Sequence, residues 1–158
     1  MIRGYCIGGG LATAIACDIR IAAEGSRFGV PAAKLGLGYA YDGINKLIDL
    51  VGPAFAREIF YTARQFSAEE ALAMGLINRL VPDGELETYV QNYCDTIAAN
   101  APLTIRSAKV SVREALKPES QRDLELCKRL VAECFASEDY TEGRTAFMEK
   151  RRPVFKGR

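Results

Sequence analysis

The spacing of apolar residues divides the chain into a β-rich beginning and a helical remainder. Residues 2–7 have the length and composition of a short strand, and they run into Gly8-Gly9-Gly10 and the apolar stretch 11–17. A strand, a glycine turn and a buried helix are therefore predicted. Asp18 and the alternation over 19–23 predict a return to β structure, and 26–30 reads as another short strand before Pro31. Residues 42–51 fit a helix that ends at Gly52. Pro53 then suits the first turn of a second helix through Tyr61, because its missing N–H is not needed there. Ser67-Ala68-Glu69-Glu70 is a capping-box pattern opening a short helix stopped by Gly75, and 77–81 is β-prone.

Beyond Pro82 the period is helical. Leu86, Tyr89, Val90, Tyr93 and Ile97 share one predicted face; Ile105, Ala108, Val112 and Leu116 a second; Leu124, Cys127, Leu130, Val131 and Cys134 a third. A last helix is expected over 141–150, ending in Lys150-Arg151-Arg152-Pro153. Short strands and a helix followed by amphipathic helices define an α/β protein with a helical C-terminal region.

Composition narrows the chemistry. The 158 residues fit one domain, and 21 Lys+Arg against 20 Asp+Glu leave no electrostatic footprint for nucleic acid. Histidine is absent, so Ser-His-Asp and Cys-His catalysis and His-coordinated zinc cannot come from this chain. Five cysteines without CxxC spacing suggest neither a disulfide framework nor a thiolate metal site, and are read as reduced, buried small hydrophobes. No apolar run approaches a membrane span and no secretion signal opens the chain, so a cytoplasmic protein is the expectation.

The glycine turn carries the candidate chemistry, since free N–H groups at a strand–helix turn can hold an anion or a developing oxyanion. As a dinucleotide fingerprint it has GGG in place of GxGxxG, and as a phosphate loop it lacks the GK[ST] ending. An oxyanion hole needs only one or two preorganised N–H groups. Close packing of helix on strand through glycine stands beside it as the purely structural alternative.

The segments 4–11 (GYCIGGGL) and 16–22 (ACDIRIA) resemble the central motif of the crotonase superfamily, the enoyl-CoA hydratases and isomerases. The likeness continues through Phe28-Gly29-Val30-Pro31, Leu35-Gly36, Val51-Gly52, Ala56-Arg57-Glu58, Thr62-Ala63, 71–77 and Val81-Pro82, and closes with 142–147 and 149–153. It implies the later turns of a crotonase-like spiral of ββα units over residues 1–82, with an oligomerisation and lid region of helices over 83–158. It also implies that earlier turns of the spiral precede the motif. A strand opening at residue 2 with both edges unpaired would point the same way.

By this resemblance, the Gly9 N–H binds a thioester oxyanion, the substrate is a coenzyme A thioester with no further cofactor or metal, and Phe147 and Lys150 reach the coenzyme A of a neighbouring subunit in a homotrimer or hexamer. The two hydratase glutamates fall at Ala12 and Ala32, and an alanine methyl can neither position water nor move protons. Tyr39, within Gly36-Leu37-Gly38-Tyr39-Ala40-Tyr41-Asp42, and the tail 137–143 look like the methylmalonyl-CoA decarboxylase branch, where the matching tyrosine orients the substrate carboxylate. A lyase of that type is expected. Enoyl-CoA hydratase by family name and a non-catalytic acyl-CoA-binding subunit are the alternatives. Asp42 is a secondary candidate base, with a helix N-cap or solvent-exposed role as its competing reading.

Overall fold

A computed structural model describes residues 1–158 and divides them into two compact units, 1–91 and 92–158. In the first unit, β1 (Tyr5–Ile7) leads through the glycine turn into α1 (Gly9–Ile15), followed by β2 (Ile21–Ala23) and β3 (Arg27–Gly29). A 3-10 turn at Pro31–Leu35 precedes α2 (Tyr41–Thr62), β4 (Phe66–Ser67), α3 (Ala68–Ala73) and β5 (Arg79–Val81). Strands β1, β3 and β4 form one sheet in that order, with β1 parallel to β3; β2 pairs in parallel with β5 in another.

The expected strand over 2–7 is shorter because Gly4 turns the chain with φ 74°. Ile2 on one side of it bridges to Ala22, and Tyr5–Ile7 on the other pairs with β3. Strand β1 therefore has one paired edge, which corrects the expectation that both would be open. The register places Cys6 beside Phe28 and Ile7 beside Gly29, so both strands run toward the same end. Leu11, Phe28, Leu47, Ile59, Phe66 and Leu76 fill the core of this unit. Each such side chain removed from water contributes on the order of 2 kcal/mol.

Helix α2 has the break that Gly52-Pro53 predicts, with Gly52 at φ 72° and ψ 168° inside one continuous span. Ser67 and Glu70 close the capping box: the Ser67 hydroxyl accepts from the Glu70 N–H at 3.2 Å, and Glu70 accepts from the Ser67 N–H at 2.8 Å. Arg64 joins this cap to α2 by pairing with both Glu58 and Glu70.

Helix α4 (Leu86–Ala98) starts within the first unit, where Leu86 is buried and Arg3 holds Asp83 and Glu87. The division between the two compact units falls within this helix, between residues 91 and 92. The second unit contains α5 (Pro102–Ala115), α6 (Leu124–Ala136) and α7 (Glu138–Glu149). Helix α5 departs from its expected face: Ile105, Val112 and Leu116 are exposed, while Ser107 and Glu114 are buried. The reason is polar. Glu114 accepts from the Asp123 N–H at 2.8 Å and from Lys117 Nζ at 2.6 Å, satisfying the loop into α6. Of the cysteines only Cys6 is buried, and Cys17 and Cys94 are exposed, so the buried reading holds for one of them. No helix is long and apolar enough to cross a membrane.

Candidate active site

The glycine turn is shaped by one residue. Gly8 has φ 55° and ψ −114°, the conformation of the first central residue in a type II′ turn, which a side chain disfavours. Its N–H donates to the Gly29 carbonyl at 2.9 Å, carrying the β1–β3 pairing one residue past the strand. The first bond closing α1 runs from the Ala12 N–H to the Gly8 carbonyl at 3.0 Å. The N–H groups of Gly9, Gly10 and Leu11 therefore have no partner within the helix. Gly9 and Gly10 are exposed, and a Cβ placed on either would meet nothing within 4 Å. Leu11, only 1% exposed, anchors the helix in the core.

The Pro31-Ala32 segment adjoins this turn, with Pro31 Cδ 3.8 Å from where a Gly8 Cβ would stand. Ala32 is 4% exposed at the start of the 3-10 turn, and Ala12 is half-buried on the first full turn of α1. The structure thus brings together the glycine turn and Pro31-Ala32, two features far apart in sequence. What it assembles there is N–H groups and methyls. Such a surface can donate hydrogen bonds to an oxyanion, and the two alanines supply no proton donor or acceptor from their side chains.

Tyr39 lies just before α2 with its ring against Phe60, centroids 5.1 Å apart at 65°. The backbone at Gly43 makes this possible: a Cβ there would stand 2.9 Å from Tyr39 Cε1. The ring is fixed on two sides and half-buried, and the hydroxyl makes no hydrogen bond. Asp42 is exposed in the first turn of α2. The N-cap is Ala40 and no side chain caps the helix, so the N-cap reading of Asp42 is corrected; its charge faces the helix dipole from inside the first turn.

Phe147 and Lys150 belong to the second unit. Phe147 is 82% exposed on α7. Lys150 is the C-cap of the helix, left-handed at φ 55°, and its N–H still donates to the Ala146 and Phe147 carbonyls as the chain turns into the tail. That tail is held by α7 itself. Glu142 binds Arg151 through two oxygens at 2.6 and 2.8 Å and accepts from the Val154 N–H at 2.9 Å. The Arg151 guanidinium, then the Val154 N–H, hold the Glu142 carboxyl down to about 2. Tyr140 and Arg144, which the sequence patterns did not single out, share a groove with Phe147. The i, i+4, i+7 spacing was the available signal.

The sequence and fold both have relatives. The enoyl-CoA hydratase/isomerase family matches over residues 1–158. This chain belongs to that family. A short-chain-enoyl-CoA hydratase from Clostridium acetobutylicum is 34% identical over 151 residues, covering 96% of this chain and 58% of the relative. A carnitinyl-CoA dehydratase from Salmonella typhi is 36% identical over 161 residues, covering 99% and 62%. Among solved structures, an enoyl-CoA hydratase from Bacillus anthracis superposes with a TM-score of 0.91 at 34% identity, over 98% of this chain and 60% of that one. An enoyl-CoA hydratase/carnitine racemase from Magnetospirillum magneticum gives 0.88 at 38% identity, over 98% and 57%. The fold is accordingly the crotonase-like α/β fold of the family. The chain spans about 60% of the length of the curated relatives it matches.

Proposed function

We propose that the protein acts on coenzyme A thioesters by stabilising an enolate oxygen at the Gly9 N–H, and that it decarboxylates a malonyl-type thioester. The observation that carries this reading is the alanine pair at 12 and 32 beside an intact glycine turn. Hydration needs a side chain that positions water and moves a proton. Decarboxylation does not. The bond from the α-carbon to the carboxylate breaks, carbon dioxide leaves, and the electron pair passes into the enolate whose oxygen the N–H group stabilises. The enolate is then protonated at carbon by a solvent water, which leaves hydroxide to the bulk, since neither Ala12 nor Ala32 can donate. Tyr39 orients the departing carboxylate in this scheme: its ring is held by Phe60 and Gly43, and its free hydroxyl can donate to a carboxylate without adding charge. Phe147 and Lys150 serve the coenzyme A of a neighbouring copy in a trimer or hexamer.

The test is product analysis with methylmalonyl-CoA and crotonyl-CoA offered separately to the purified protein. Propionyl-CoA from the first and no hydration of the second is the expected pattern. Tyr39→Phe should slow decarboxylation by at least about tenfold while leaving unfolding within about 0.5 kcal/mol, since the hydroxyl has no partner to lose. Hydration of crotonyl-CoA without decarboxylation would sink the proposal. A second reading, a non-catalytic acyl-CoA binder, also draws on the two alanines; tight CoA binding with no turnover of either substrate would favour it.

A further inference from the structure

A cavity of about 330 Å³ opens along one face of α1 and the turn that ends it, where Gly10, Thr13, Ala14 and Cys17 recur at i, i+3, i+4 and i+7. Cys6 on β1 and Arg20, just ahead of β2, also line it. No Asp or Glu stands on its wall, and the other guanidinium there, that of Arg3, is turned to Asp83 and Glu87. The volume lies in the roughly 300–1,000 Å³ range of small-molecule sites.

Arg20 gives this cavity its charge. It is only 4% exposed; Nε donates to the Leu76 carbonyl and Nη1 to the Cys17 carbonyl, both at 2.7 Å, while Nη2 has no hydrogen-bond partner and the side chain makes no salt bridge. Burial pushes the guanidinium below its ordinary value, against the opposing influence of Cys17 and Asp18, and Asp18 is exposed and absent from the cavity wall. A buried cation given only neutral acceptors gains from an anion brought to it. The two thiols on the wall differ. Cys6 is buried, and burial pushes its thiol up, away from the thiolate that reacts; Cys17 is exposed.

The geometry points to Cys17 as a site of mixed-disulfide formation with small anionic thiols of the glutathione class, with Arg20 receiving the carboxylate of the adduct. The Cys17 thiolate attacks one sulfur of an oxidised disulfide, whose S–S bond breaks as the new one forms. The second sulfur leaves with the electron pair and takes up the proton that Cys17 released, so Cys17 is oxidised and the departing thiol reduced. This site is separate from the thioester chemistry and stands or falls without it. To test it, reduced protein is treated in parallel with glutathione disulfide, which is anionic, and with cystamine, a disulfide between two ammonium-bearing arms, and adducts are followed by peptide mass spectrometry. Cys94 is the internal control, since it is also exposed and also precedes an aspartate. The ratio of the glutathione rate to the cystamine rate should be about tenfold higher at Cys17 than at Cys94, and should fall to the Cys94 value in Arg20→Gln. Because Arg20 is buried, the comparison of reagents on the wild type decides by itself where the variant does not fold. Equal ratios at the two cysteines overturn the inference, as do glutathione attached to Cys6 in preference to Cys17 and a folded Arg20→Gln variant that keeps the preference.

Discussion

Gly8→Ala isolates the conformational basis of the glycine turn. Gly8 sits at φ 55° and ψ −114°, and the added methyl would meet only Pro31 Cδ at 3.8 Å, an ordinary van der Waals contact. No overlap contributes, so the cost is that of holding alanine in a disfavoured backbone region, on the order of 1–3 kcal/mol. For a chain of this length each kcal/mol lowers Tm by about 2–4 °C. Urea unfolding followed by far-UV circular dichroism would read the change as a lower midpoint. Gly9→Ala is the matched control: Gly9 has no positive φ, its Cβ meets nothing, and it occupies the first helical position. Its unfolding midpoint should stay within about 0.5 kcal/mol of wild type. The two variants therefore separate folding from function, since Gly8→Ala loses stability as the turn relaxes and re-aims the Gly9 N–H. Equal midpoints for wild type and Gly8→Ala would refute the reasoning, as would a Gly9→Ala penalty as large as that of Gly8→Ala.

Two further outcomes follow from single interactions. Ser67→Ala removes the hydroxyl of the capping box and should cost about 1 kcal/mol in the same urea experiment, with Ser67→Asp close to wild type; an alanine variant as stable as wild type would contradict the cap. Glu142 titrates at about 2 when folded, below the roughly 4.3 of an unperturbed glutamate. Its contribution is complete above the unfolded value and is lost as pH falls from about 4 toward 2. Hydrogen exchange at the Val154 amide should accelerate over that window beyond its intrinsic pH dependence, and should lose this transition in Glu142→Gln. The same protection factor at about pH 6 and about pH 2 would show that the Glu142 contact does not hold the tail.

Local rules were legible where one residue acts on its own neighbours. Gly52-Pro53 breaks α2 as read, Ser67-x-x-Glu70 caps α3, and the glycine turn starts α1, because positive φ, a missing N–H and a capping hydroxyl operate over four residues or fewer. The face of α5 was not legible. Its apolar spacing favours Ile105, Val112 and Leu116, but the buried carboxylate of Glu114 is needed by the Asp123 N–H nine positions on, and only the folded loop makes that demand. Likewise Gly4 could be read as one more residue of a strand until its φ of 74° divided Ile2 and Tyr5 between separate sheets.

The candidate site divides in the same way. That Ala12 and Ala32 cannot serve as acid or base is a property of their side chains, settled by sequence before any fold is known. That Pro31-Ala32 stands against the glycine turn depends on β1 lying parallel to β3 with Ile7 opposite Gly29, a non-local pairing that no spacing rule specifies. Lys150 shows the limit from the other side: its spacing from Phe147 is read from sequence, while its left-handed conformation as the C-cap and the return of the tail onto Glu142 and Asp139 are visible only in the fold. Sequence by itself determined which chemical groups exist and where the backbone can turn; tertiary structure decided which of those groups meet, because hydrogen bonds and burial between distant segments outweigh local periodicity.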